Sequence, residues 1–154
     1  MPFRFPLEAV LHLRQSLEHQ QELRLRAAHQ QVARVRHLIS QIEAHARQMQ
    51  VQHAQTLIAG TTSAEMQFAL QCERRLGEHR QILHQELARL EKLRDAQQHA
   101  YQQARRERET FESLRDRQRH EYERETLRRE QRELDDLFLL RRAYLRRRTE
   151  RQSG

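Results

Sequence analysis

Histidine, cysteine, glycine and carboxylate are the residue types from which proteins build metal sites, nucleophiles, phosphate cradles and acid–base pairs, and this 154-residue chain contains all four. Their spacing decides what they can do. The ten histidines would suit zinc if two stood four residues apart on a helix or within His-Glu-x-x-His, and neither arrangement occurs. The three glycines stand alone, and none precedes Lys-Ser or Lys-Thr, so the chain has no phosphate loop and is not itself a P-loop ATPase. Cys72 lies between Gln71 and Glu73, without a cation to activate it, and reads as a structural or incidental residue. Carboxylates are plentiful but interleaved with arginine at helical spacing, as Glu125 is with Arg129, which is the pattern of a solvated helix face. The expectation is a protein with no catalytic residue, no cofactor and no metal, and therefore not an enzyme.

The elements that must carry these side chains follow from composition. With 36% hydrophobic and 33% charged residues the chain is too polar for a thick core. Abundant Arg, Glu, Gln, Leu and Ala, with both prolines in the first six residues, is the composition of long helices and coiled coils. Disorder is the rival reading of such polarity, and persistent apolar periodicity argues against it. No run approaches the roughly 18 apolar residues of a membrane span, and Met1 to Val10 lacks a signal-peptide core, so a cytoplasmic protein is expected. A single cysteine excludes an internal disulfide.

The net charge of +7 suggests nucleic acid until it is divided along the chain. Residues 1–61 hold seven arginines against four glutamates, residues 62–140 sixteen basic against seventeen acidic groups, and residues 141–154 six arginines against one glutamate. The excess is therefore largely a C-terminal feature.

Gly60, Thr61, Thr62 and Ser63 interrupt two otherwise helical stretches. Gly60 suits the left-handed conformation that ends a helix, and Thr62 with Glu65 has the capping-box spacing that starts one. Gly77 has no flanking turn residues and stays inside the second helix. A stop and a start this close make antiparallel neighbours. The fold expected is all-α: a single-domain, antiparallel two-helix coiled-coil hairpin, with a first helix over about 7–59, a turn at 60–62 and a longer second helix over about 63–148.

Heptad rows support it. Leu25, Val32, Ile39, Ala46 and His53 form one row of the first arm, and Ala28, Val35, Ile42, Met49 and Thr56 the next. The second arm carries Met66, Glu73, Arg80, Leu87, Arg94 and Tyr101, then Ala69, Leu76, Leu83, Leu90, Gln97, Ala104 and Phe111. Folding about Thr61 gives facing residue numbers that sum to about 122, placing Ile39 near Leu83, Ala46 near Leu76 and Leu11 near Phe111. Glu18 and Gln21 fall on the seam and should weaken it. Ile42 opposite Arg80 and Ala28 opposite Arg94 are poor pairs, tolerable if the arginine stems lie along the seam.

The arms are unequal, roughly 80 Å against roughly 130 Å at 1.5 Å per residue. By this register residues beyond about Gln118 lack an intramolecular partner, yet they include Tyr122, Leu127, Leu134, Leu137, Phe138, Leu139, Leu140, Tyr144 and Leu145. So many apolar groups on an unpaired helix are expected to be buried by something else.

Two segments then carry a resemblance. Phe3-Arg4-Phe5-Pro6-Leu7-Glu8-Ala9-Val10-Leu11, with Arg14, resembles the opening of the FliJ family of flagellar type III export proteins. Residues 104–140, with Arg106, Glu107, Phe111, Glu112, Leu114, Tyr122 and Arg129-Glu130-Gln131-Arg132-Glu133-Leu134-Asp135-Asp136, are similar to that family's C-terminal signature. Residues 20–100 carry nothing diagnostic. The resemblance implies a hairpin shaped like the central stalk of rotary ATPases. It further implies a component that couples the export ATPase ring, FliI, to the cytoplasmic domain of the export gate, FlhA, and that assists chaperones and substrate delivery. Such a protein would be cytoplasmic and peripherally associated with the inner face of the cell membrane at the flagellar base, with membrane contact only through the export apparatus.

The partner-binding residues expected from these two lines together are Glu130, Leu134, Asp135, Asp136, Leu137, Phe138, Leu140, Arg141 and Arg142, with Arg146, Arg147 and Arg148 beyond. Phe3, Phe5 and Leu7 are expected to extend the same surface. Two other classes compete. The arginine-rich tail could bind nucleic acid, although no base-reading module is present. The chain could also be the equivalent stalk of a virulence secretion system, or a generic coiled coil.

Overall fold

A computed structural model describes residues 3–152, with side chains described as far as Arg148. It contains two helices, α1 (Glu8–Ala59) and α2 (Ser63–Gln152), packed against each other as a hairpin. The all-α coiled-coil hairpin expected from the heptads is the fold observed. The contacts gather into two compact units, Met1–Arg14 with Glu107–Gly154, and Gln15–Arg106, each containing a piece of both helices.

The chain enters α1 through a turn at Pro6 and Leu7. The Glu8 amide donates to the Phe5 carbonyl at 3.2 Å, and the Leu11 amide to that of Leu7 at 2.9 Å. Glu8 supplies the negative charge that favours a helix N-terminus. The helix ends at Ala59 because Gly60 has φ +95° and because the Thr61 hydroxyl turns back to the Thr56 carbonyl at 2.8 Å. The capping box is formed as expected. The Thr62 amide donates to Glu65 Oε2 at 2.9 Å, and the Glu65 amide donates to Thr62 Oγ1 at 3.3 Å. At its far end α2 runs past Arg148 to Gln152, four residues further than expected, since no proline or glycine lies between Arg148 and Gln152.

In the unit Gln15–Arg106, the seam buries Ala28, Val32, Ile39 and Leu90, all on the counted rows. Ile42 and Ala46 share a groove with Leu76 and Arg80, as the expected register requires. Arg36 reaches Glu91 at 2.6 Å and His53 Nδ1 lies 3.6 Å from Glu73, flanking pairs about one turn from that register. Glu18 and Gln21, which fall on the seam, are half-buried. Arg94 lies three-quarters buried with its guanidinium on Asp95 at 2.8 Å, the stem-along-seam solution anticipated for this poor position. Between Ile42 and Arg80 no residue is fully buried, and nothing lies within 4 Å of where a Gly77 side chain would begin. Packing here is loose.

The other unit is anchored by Leu11, which is 0% exposed, and Phe5, which is 7% exposed. Arg14 closes it, pairing with Glu107 at 2.5 Å while its guanidinium lies 5.9 Å from the centre of the Phe111 ring. The cover on α2 extends further than counted. Phe3 packs on Tyr122 with ring centroids 5.8 Å apart, so Tyr122 has the intramolecular partner that the register denied it. The reason is that Phe3, Arg4 and Phe5 precede the helix in a non-helical lead, which covers more length per residue than the 1.5 Å of a helix.

Candidate functional site: the uncovered end of α2

Every described side chain from Leu127 to Arg148 is exposed. The α2 seam itself stops there. Continuing its rows beyond Gln118 and Tyr122 gives Glu125, Arg129, Arg132 and Asp136, which cannot form an apolar seam. Helical hydrogen bonding nevertheless continues through Gln152, so the segment is a bare helix. It displays Leu127, Leu134, Leu137, Phe138, Leu139 and Leu140, each 61–67% exposed.

The helix places the predicted residues with consequences that linear order hides. At about 100° per residue, Leu137, Phe138, Leu139 and Leu140 point in four directions and encircle the helix. A surface helix ordinarily confines its apolar groups to one stripe, and one that is apolar all round is a buried helix. Glu130, Leu134, Asp135, Asp136, Leu137, Phe138, Leu140, Arg141 and Arg142 are thus brought together on about three successive turns, all exposed. Phe3, Phe5 and Leu7 are not brought into that group. Phe5 is spent in the core, Phe3 lies on Tyr122, and Tyr122 precedes Glu130 by eight residues, about 12 Å of helix.

Nothing in the segment suits covalent chemistry. Two local helix contacts in α2 shift the ionisation of the groups that make them. The Thr62 amide and hydroxyl hold the Glu65 carboxyl below the usual carboxylate range. The Arg89 guanidinium, at 2.5 and 2.8 Å, does the same to Glu86, and the Arg89 pKa is raised in return. Among the described residues no cluster of three His, Cys, Asp or Glu could hold a metal, and no helix is long and apolar enough to cross a membrane.

The family model described as Flagellar FliJ protein matches residues 3–149, nearly the whole chain. The chain belongs to the FliJ family. No curated protein and no solved structure matches it. Family membership makes it a non-catalytic component of flagellar type III protein export. The match spans residues 20–100 as well as the two diagnostic ends, so the featureless middle of this FliJ-family chain belongs to the same unit of descent.

A second exposed apolar region in this FliJ-family hairpin has no counterpart among the predicted site residues. Beside the turn, Met49, His53, Thr56, Phe68, Ala69 and Cys72 line an open groove of about 360 Å³. Phe68 in its lining is 69% exposed, and Ile58, near the turn, is 89% exposed. The signal was present in the sequence: Ile58, Phe68 and Leu70 are large apolar residues that fall off every heptad row.

Proposed function

We propose that this protein is the stalk of the flagellar export apparatus, coupling the export ATPase ring, FliI, to the cytoplasmic domain of the export gate, FlhA, and assisting chaperone and substrate delivery. The bare end of α2 is the part held by the ring. The observation that carries this reading is the run Leu137–Leu140, four exposed apolar side chains directed around the whole helix. A flat surface or one further helix would cover only one side of such a run, whereas an annular partner covers all of it. Two partners call for two surfaces. The groove beside the turn, in the unit Gln15–Arg106, offers the second to the gate. The protein then works in the cytoplasm, at the inner face of the membrane only through the apparatus it joins.

The test is co-purification of the export ATPase with the full chain and with a chain ending at Asp136. The deleted side chains that are described are all exposed, so circular dichroism of the remaining hairpin should be that of a helix of correspondingly reduced length. Binding should be lost, and retained binding would refute the assignment. A gel-shift titration in salt addresses the nucleic-acid reading, for which steep salt dependence on DNA with no affinity for the ATPase is the signature.

A further inference from the structure

Besides the run Leu137–Leu140, the bare end of α2 carries a stripe. Leu127, Leu134, Leu137, Phe138, Tyr144 and Leu145, each 50–67% exposed, fall within about 120° of one face at about 100° per residue. The stripe lies on the side opposite Glu125, Arg129, Arg132 and Asp136, the row that continues the seam with α1. It is therefore a second seam. Along its centre run Gln131, Leu134, Phe138, Arg141, Leu145 and Arg148, the alternating three- and four-residue spacing of a coiled coil.

We infer that this face pairs with the same face of a second copy of the chain, antiparallel, with Leu134 opposite Leu145 of the second copy and Phe138 opposite its Arg141. A twofold axis repeats every contact. Gln131 then faces Arg148 of the second copy, and the Arg141 stem lies along the seam with its guanidinium against the Phe138 ring. Leu137 meets Tyr144 of the second copy along one flank, and Asp135 meets its Arg142 along the other. Charge complementarity selects this occupant and this sense. Residues 131–138 hold three acids and one arginine, and they face residues 141–148, which hold five arginines and no acid. A parallel pair would stack Arg141 on Arg141 and Arg148 on Arg148. An antiparallel pair slid by one heptad would set Asp135 beside Asp135 and Arg128 beside Arg142. The overlap, residues 131–148, is about 27 Å of helix and lies wholly beyond Tyr122, on which Phe3 packs. Leu139 and Leu140 stand outside the paired face and stay uncovered, so the pair is a weak, reversible resting form. It occupies the end assigned above to the ATPase ring, which must displace it to bind.

The experiment is sedimentation of the full chain alone over a range of concentrations. A monomer–dimer equilibrium is expected, with Kd on the order of 100 µM, as for a small transient interface. Asp135→Arg places arginine beside Arg142 of the second copy and should weaken pairing at least about tenfold, whereas Asp135→Arg combined with Arg142→Asp should restore it to within about threefold. Both residues are exposed, so circular dichroism should be unchanged in either variant. Disulfide trapping in a Cys72→Ser background reads the register. Leu134→Cys with Leu145→Cys should link two copies under mild oxidation. Leu134→Cys alone should not, because the two Leu134 positions lie about 16 Å apart along the axis. A chain still monomeric at about 1 mM would overturn the inference and leave the stripe to a different protein. Linking through Leu134→Cys alone, or a double charge swap that fails to restore pairing, would overturn the antiparallel register. No ATPase is present in these measurements, so their failure leaves the stalk reading standing, and loss of ATPase binding remains its separate test.

Discussion

Leu11 and Leu13 are two residues apart on the first turns of α1, yet one is 0% and the other 58% exposed. Leu11→Ala removes three carbons from a fully covered site, worth about 2.4 kcal/mol at about 0.8 kcal/mol per methylene. Deeper cores add a cavity penalty that carries leucine truncations towards about 5 kcal/mol. A pair of helices has no third layer to hold a void open, so the neighbours can close over much of the gap. The expected loss is about 2–3 kcal/mol for the unit that contains Leu11, Phe5 and the Arg14–Glu107 pair. Leu13→Ala, on the solvent side, should cost less than about 0.5 kcal/mol. Hydrogen exchange followed at the amides of residues 11–14 reads this unit directly. Where those amides exchange through its opening, Leu11→Ala should speed them by roughly 30- to 150-fold and Leu13→Ala by less than about threefold. Equal effects of the two substitutions, or an unchanged exchange rate in Leu11→Ala, would refute the placement of Leu11 in the seam and with it the closure of the hairpin at its N-terminal end.

The two interior glycines should respond in opposite directions. Gly60→Ala places a Cβ on a backbone with φ +95° and should destabilise the hairpin by about 1–2 kcal/mol, whereas Gly77→Ala, helical and with open space around it, should stabilise by about 0.5–1 kcal/mol, both read by urea unfolding. The capping box gives a pH dependence of defined sign. Because Thr62 depresses the folded Glu65 pKa, the contribution is complete above the ordinary carboxylate range and is lost as pH falls through the depressed value. Glu65→Gln should flatten that part of the acid limb of a stability–pH curve, and a curve unchanged in shape would show that the box is not formed in solution.

Most of the fold was legible because a two-helix seam is written locally. Heptad rows, the Gly60 stop and the Thr62–Glu65 start each depend on residues within a turn or two, and antiparallel pairing follows from the shortness of the connection. The buried Ala28, Val32, Ile39 and Leu90 all come from those rows. Legibility failed where the outcome depended on contact between distant residues. The reach of the N-terminal lead to Tyr122 was missed because periodicity says nothing about where a non-helical segment lies. The groove beside the turn was missed because a seam count records which residues face the partner helix, not how tightly they are held. Further along the seam, Gly77 and the polar positions Glu73 and Arg80 leave the separate groove beside Ile42 and Ala46 open.

The sequence by itself determined two helices, their turn, their antiparallel sense and the family. The helices, turn and pairing sense arise from backbone hydrogen bonding and the periodic placement of apolar side chains, which neighbouring residues settle among themselves; the family rests on the motifs at the two ends and the family-model match. Only the tertiary structure decided where cover on α2 ends, that Phe5 is buried, and that the side chains from Leu127 to Arg148 are bare. Burial is a relation between segments about a hundred residues apart in sequence, and it exists only once the chain has brought them together.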